Sequence, residues 1–251
     1  MKTIPSTHIF EKIGIYKFHL DSYASDFRGK CTLPLIGSLT LQAATKHAEE
    51  RGFGYNYVLS KGRAWVLSRL VIEMIEYPDN EQDIIVNTWI ANVNKLFTER
   101  DFSFENENGK ILGYARSVWA SIDLQTRRPA NLLEPNGITD FIVEKDCPID
   151  NIRKIPSLKD ENPEENFTVR YSDLDINNHL TSIKYIEHFM DMFHIDLFKK
   201  YEVKRFEIHF VAEATYGKRI FLCKKEEADN TFVLEMRTEE NLISAARVTW
   251  E

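Results

Sequence analysis

The sequence predicts an α+β protein in which one plan, a long helix followed by antiparallel strands that curve around it, is laid down twice. Three observations predict this. The order helix, then several strand-like runs, occurs once before residue 145 and again after residue 167. Short echoes recur between the halves at a nearly constant offset: 131 for Arg116 to Arg247 and for Trp119 to Trp250, and 136 for Arg69 to Arg205. A long apolar helix and strands with one apolar face each need a cover, and a sheet wrapped around a central helix supplies both. Two such units side by side make one continuous sheet with two helices.

The elements follow in order. A first helix is expected over SLTLQAATKHAEER (38–51), with Ser38 as N-cap and Gly52 as the stop. Strands are expected at 64–77, 83–93, 99–106 and 111–124, where β-branched and aromatic residues concentrate. Residues 1–145 therefore form a first domain and 167–251 a second. The polar, proline-bearing stretch 146–166 is a linker. The second domain opens with a strand near 167–172. A helix over about 178–199 follows, on which Ile183, Ile186, Met190, Phe193 and Leu197 recur at helical spacing. Strands are then expected at 205–214, 219–227, 231–239 and 242–251.

Composition excludes several classes. With 251 residues, 43% of them hydrophobic and 28% charged, the chain can build an ordinary globular core. A net charge of -7 argues against nonspecific nucleic-acid binding. No apolar run reaches the length of a membrane span, and the N-terminus lacks the apolar core of a secretory signal. It also lacks a transit-like extension, which fits a bacterial cytosolic protein. Cys31, Cys147 and Cys223 are isolated, so neither a disulfide framework nor a zinc site is expected. A reducing cytoplasm is the natural setting.

The chemistry concentrates in YSDLDINNHLTSIKYIEHFMDMF (171–193). Asp175, Asn177 and His179 alternate where an extended segment meets a helix. A helix start presents unpaired N–H groups and a positive dipole end. A carboxylate, an amide and an imidazole gathered there can activate water and stabilise an oxyanion. By residue type alone, Asp175 and Asn177 also read as an Asx-rich turn that caps the helix.

The chain resembles the acyl-acyl-carrier-protein thioesterases of plants and bacteria along nearly its whole length. The resemblance rests on WVLSRLVIEMIEYP (65–78), VNTWIANVNKLFTERDF (86–102), ARSVWASIDLQTRRP (115–129) and YSDLDINNHLTSIKYIEHFMD (171–191), in that order. It implies a tandem hot-dog fold: two curved antiparallel sheets, each wrapped around a long helix. It implies hydrolysis of acyl-carrier thioesters to a free fatty acid and the carrier, without metal, nucleotide or organic cofactor. The partner would be an acyl carrier protein bearing an acyl-phosphopantetheine.

By motif match the family's catalytic residues fall on Asp175, Asn177 and His179, and a further carboxylate on Glu213. Alternation along RFEIHFVAEA (205–214) would set Glu213 with Glu207 and His209, and a bulge near the strand end could re-aim it. Where a cysteine nucleophile has been proposed for the family, this chain has Ala214, so the expected chemistry is attack by water. Either Asp175 or Glu213 would be the base. His179 and Asn177 would position the water or the substrate, and N–H groups around 179–182 would polarise the carbonyl. The first half carries no D-x-N-x-H before its helix, so one centre per chain is expected. That half would instead shape the acyl pocket, with Trp65, Met74, Trp89 and Trp119 as candidate lining. The Arg127-Arg128 pair would be a docking point for the carrier or a solvated cluster. Two alternatives remain at this stage: an acyl-coenzyme A thioesterase, and a non-catalytic module that binds acyl thioesters. A tandem chain is already a pseudo-dimer, so homodimerisation is optional.

Overall fold

A computed structural model describes residues 12–133, 137–150 and 152–251. The stretch 1–11, within the N-terminus expected to lack a secretory signal, lies outside the described residues. Among the described residues, ten strands form one antiparallel sheet. The first half contributes β1 (Gly14–His19), β2 (Arg63–Met74), β3 (Asp83–Val93), β4 (Thr98–Asn106) and β5 (Ile111–Asp123). The second contributes β6 (Glu165–Thr168), β7 (Val203–Phe210), β8 (Arg219–Ala228), β9 (Thr231–Arg237) and β10 (Leu242–Trp250). Their order across the sheet is β1-β3-β4-β5-β2-β7-β10-β9-β8-β6, which reads alike from either edge once each strand is exchanged for its counterpart.

The seam is β2 against β7, where residues 69–73 run antiparallel to 205–209 about the Val71–Glu207 pair, the one pair whose members are 136 apart. The echoes occupy equivalent places. Arg116 lies opposite Val71, and Arg247 opposite Glu207. Trp119 lies opposite Leu67, and Trp250 opposite Val203. A register slip sits next to the tryptophan in both copies. Duplication therefore extends to the bulges, which set the local bend of a strand.

Helix α1 (Leu33–Glu50) lies under the first half of the sheet. It starts earlier than its apolar period suggests. Thr32 is the N-cap, its Oγ1 accepting the Leu35 N–H at 3.3 Å, and Pro34 is pre-set for the first turn. Ser38 lies inside the helix, where its Oγ accepts from Gln42. Gly52, at φ 77°, ends it as expected. A short helix α2 (Tyr55–Ser60) follows, which the sequence reading did not anticipate, nor did it anticipate β1.

The single second helix expected over 178–199 is in fact two: α3 (Ser182–Asp191) and α4 (Ile195–Lys200). The break falls at His194, which takes an extended backbone and caps α4 through its ring Nδ1. α1 and α3 meet closely. A Cβ placed on Gly37 would lie 2.9 Å from Ile186 Cδ1. Between helices and sheet lie Ile36, Leu70, Ile72, Ile186, Phe206 and Ile208, all 0–1% exposed. Burying each contributes about 1.5–3 kcal/mol, so the seam between halves is part of one core.

The connection between halves is pinned to the outer face of the sheet. Val143 N–H bonds the Ile90 carbonyl, Arg116 donates to the Ile149 carbonyl, and Arg247 donates to the Lys154 carbonyl. Ile155 and Leu158 are buried against Cys223, Val233 and Ala245.

His47, on α1, is buried, with Nε2 within 3.0 Å of the Lys12 carbonyl. Burial, with the nearby Arg100 charge, pushes its imidazole down to about 3 from an ordinary 6.5. The unfolded chain then binds the proton that the folded chain refuses. Stability is thus fully present above about pH 6.5 and falls toward pH 3, by up to about 1.4 kcal/mol per pH unit from this group. Urea unfolding between pH 7 and pH 4 should show a shallower acid slope in His47→Gln. An equal slope would contradict this account.

Candidate active site

The motif 171–183 folds into a tight loop ahead of α3. Asp175 Oδ1 accepts the N–H groups of Asn177 at 2.8 Å and His179 at 3.0 Å, while Asp175 N–H bonds the His179 carbonyl. Asn178 takes the left-handed conformation, φ 62°, that such a turn needs and that asparagine tolerates. The loop is tied to the far side of the cleft by Leu180 N–H on the Ala214 carbonyl.

Glu213 reaches the same place because the strand does not run straight. Past Phe210, the N–H groups of Val211 and Ala212 both bond the Ile243 carbonyl, a bulge. It turns Glu213 away from Glu207 and His209, which bond each other at 3.2 Å on the strand proper. Glu213 Oε2 then lies 3.3 Å from His179 Nε2. Arg127, in the turn after β5 of the other half, donates from Nη2 to the same oxygen at 2.6 Å. The side chains of His179 and Glu213 are 26% and 38% exposed, so water reaches both.

Asp175, Asn177, His179 and Glu213 line one cleft of about 800 Å³, which also takes in Ser182 at the start of α3. Thr181 caps that helix with an extended backbone and no side-chain hydrogen bond. A second cavity of about 450 Å³ adjoins it, lined by Ala44, Ala48, Phe53, Ile138 and others of the first half. Trp65, Trp119 and Asn177 border both cavities. Together they form a polar cleft leading into an apolar pocket.

The other two lining candidates lie elsewhere. Met74 is buried where β2 pairs with Gly113, and it borders neither cavity. Trp89 is buried beneath Lys145, whose Nζ sits 4.3 Å from its ring centre. It pairs with Asp101, whose carboxylate bonds Arg116 in the cluster that holds the connection between halves. Strand alternation alone could not separate these faces. By sequence Arg127 is a docking point or a solvated charge. Only the long-range fold shows that it reaches Glu213.

The first half contains the same loop without the same chemistry. The bridge Ser25 to Cys31 matches Leu174 to Leu180, and Lys30 to Asp79 matches His179 to Thr215. Asp26 therefore stands for Asp175, Arg28 for Asn177 and Lys30 for His179, and Tyr77 for Glu213. Asp26 Oδ1 accepts from Arg28 and Lys30 N–H, as Asp175 does from Asn177 and His179. Here Lys30 pairs with Asp79 at 2.8 Å, and Arg28 bonds Asp26 and the Phe198 carbonyl. The Tyr77 hydroxyl donates to the Val203 carbonyl. With its polar groups consumed in this way, the first loop offers no base.

Fold and site define a double hot-dog protein with one carboxylate–imidazole centre opening onto an apolar pocket. Residues 13–136 match the model of the acyl-ACP thioesterase N-terminal domain, and 157–251 that of the C-terminal domain. An acyl-ACP thioesterase of Bacteroides thetaiotaomicron superposes with a TM-score of 0.92 at 39% identity, covering 96% of this chain and 98% of that one. The 12:0-ACP thioesterase of Umbellularia californica shares the fold, with a TM-score of 0.85 at 19% identity over 98% and 99% of the two chains. A chloroplastic palmitoyl-acyl carrier protein thioesterase of Cuphea hookeriana is 33% identical over 49% of this chain and 31% of its own length. The chain thus spans about a third of the length of that relative. It belongs to the acyl-acyl-carrier-protein thioesterase family.

Proposed function

We propose that this chain hydrolyses acyl-acyl-carrier-protein thioesters to free fatty acid and carrier, in fatty acid biosynthesis, by direct attack of water. The single observation that carries the reading is the His179–Glu213 pair, 3.3 Å apart in a water-accessible cleft that leads into an apolar pocket. The Glu213–His179 pair takes the proton from water as it attacks the carbonyl carbon. The N–H groups at the start of α3 face the developing oxyanion. The thiolate of the carrier's pantetheine leaves with little need of protonation. Asp175 holds the loop, Asn177 orients substrate at the junction of the two cavities, and Arg127 fixes the Glu213 carboxylate.

The acyl chain lies in the pocket bordered by Trp65 and Trp119, and the pantetheine arm enters through the cleft. The three cysteines take no part. Cys31 and Cys223 are buried and none borders the cleft, and burial pushes the thiols of Cys31 to about 12 and Cys147 to about 11, against formation of a thiolate. Free cysteines also suit a reducing compartment such as the cytoplasm. Among the described residues, no helix is long and apolar enough to cross a membrane. The pseudo-dimer within one chain supplies both halves of the site, so a second copy is not required.

The test is thiol release from one acyl group carried on an acyl carrier protein and on coenzyme A. The carrier-bound donor should show the higher kcat/KM. A preference for coenzyme A would shift the assignment to acyl-coenzyme A hydrolysis. Tight binding of either donor without thiol release would make the protein a binding module.

A further inference from the structure

The pseudo-two-fold plan gives the chain two mouths, and they carry opposite charge. Backbone hydrogen bonds fix which residues correspond. Val169 N–H bonds the Lys218 carbonyl as Leu20 N–H bonds that of Gln82, and Gly217 N–H bonds the Val169 carbonyl as Glu81 N–H bonds that of Leu20. Asp173 N–H bonds the Arg170 carbonyl as Ala24 N–H bonds that of Asp21. Arg170 therefore stands for Asp21, Gly217 for Glu81 and Lys218 for Gln82. Glu81 even keeps the left-handed backbone of its counterpart, φ 56° against 78°, where a glycine would be unstrained.

Apolar exposure does not distinguish the two mouths. Ile176 and Val211, beside the catalytic loop, are 76% and 57% exposed, and their counterparts Phe27 and Ile75 are 57% and 56% exposed. A cavity of about 520 Å³, walled by Phe27, Phe193 and Phe198 among others, opens at the first-half loop. An acyl chain could lodge there with no base beside its thioester. Charge does distinguish them. Arg128 follows Arg127, which bonds Glu213, and Lys218 lies in the turn whose Thr215 bridges His179. Arg170 opens the catalytic loop. All three are exposed, and among the described residues none is in an ion pair, unlike Arg127. At the other mouth, stretches 21–24 and 79–82 hold Asp21, Asp79 and Glu81 and no base. On a chain of net charge -7, a local basic rim sets where an acidic partner can approach.

Building on the thioesterase reading, we propose that the carrier docks through an acidic face onto the rim formed by Arg128, Arg170 and Lys218, and that the acidic rim of the first half keeps it off the mouth that has no base. The test compares thiol release from one acyl group on an acyl carrier protein and on free pantetheine. For the wild-type chain, added salt should raise KM for the carrier and leave KM for acyl-pantetheine unchanged, because salt screens exposed charges. Joint reversal, Arg128→Glu with Arg170→Glu and Lys218→Glu, should lower kcat/KM on the carrier by about tenfold or more through KM, with acyl-pantetheine turnover unchanged. Calorimetry with the unacylated holo-carrier reads docking without turnover: one site in the wild-type chain, lost on reversal. Transplanting the basic rim by Asp21→Arg, Glu81→Gly and Gln82→Lys should create a second holo-carrier site, and a single site in that variant would overturn the excluding role of the first half. Carrier affinity that neither salt nor the joint reversal changes would overturn the docking face. Thiol release from neither donor would sink the hydrolase reading alone, and holo-carrier calorimetry would still decide where the carrier sits.

Discussion

Glu213→Gln should lower kcat for thiol release by about 10²- to 10⁴-fold, the range for loss of a positioned general base, and change KM little. The amide keeps the size of the carboxylate and can still accept the Arg127 hydrogen bond through its oxygen. It cannot supply the negative charge with which the pair, 3.3 Å apart, accepts the proton of the attacking water. Because Glu213 is 38% exposed and outside the core, the substitution should leave the fold intact, and circular dichroism with thermal melting checks that. His179→Ala should fall into the same range. The double variant should be about as slow as either single one, since groups that act as a unit are non-additive. Turnover of Glu213→Gln within tenfold of wild type would remove this residue from the reaction.

Asp175 separates two readings that the sequence left open. Asp175→Ala removes the acceptor for the Asn177 and His179 N–H groups and frees a loop that holds Asn178 at positive φ. Leaving such donors unpaired costs about 1–3 kcal/mol, and misplacing His179 should cost about 100-fold in kcat. Asp175→Asn keeps an oxygen in the same place and should stay within about tenfold of wild type. If Asp175 were the base, the asparagine and alanine variants would fall alike. The first half argues for the holding role. Asp26 makes the same two hydrogen bonds in a loop that has neither the histidine nor the glutamate.

Much of this was legible in the residues. The two-fold plan could be read because sheet faces and bulges constrain both copies, so Arg116 and Arg247, and Trp119 and Trp250, hold equivalent places. The motif at 175–179 could be read because an Asx turn is a local structure whose partners lie within four residues. What could not be read depends on contacts distant in sequence. A bulge re-aiming Glu213 could be suggested, but not its partner Ile243, and Arg127 acquires its role only when the turn after β5 meets the strand end after β7. Trp89 and Met74 look like Trp65 and Trp119 by residue type, but they do not border the cavities. The break between α3 and α4 leaves no mark in the sequence pattern because Phe193 and Leu197 keep the apolar period across it.

The most direct measurement is rapid-quench single turnover, with enzyme in excess over acyl-carrier thioester, following free thiol and free acid together. Direct attack by water predicts that both appear with one rate constant and that the intact mass of the protein never rises by an acyl group. A burst of thiol ahead of the acid, with the acyl group found on a side chain of the protein, would contradict it.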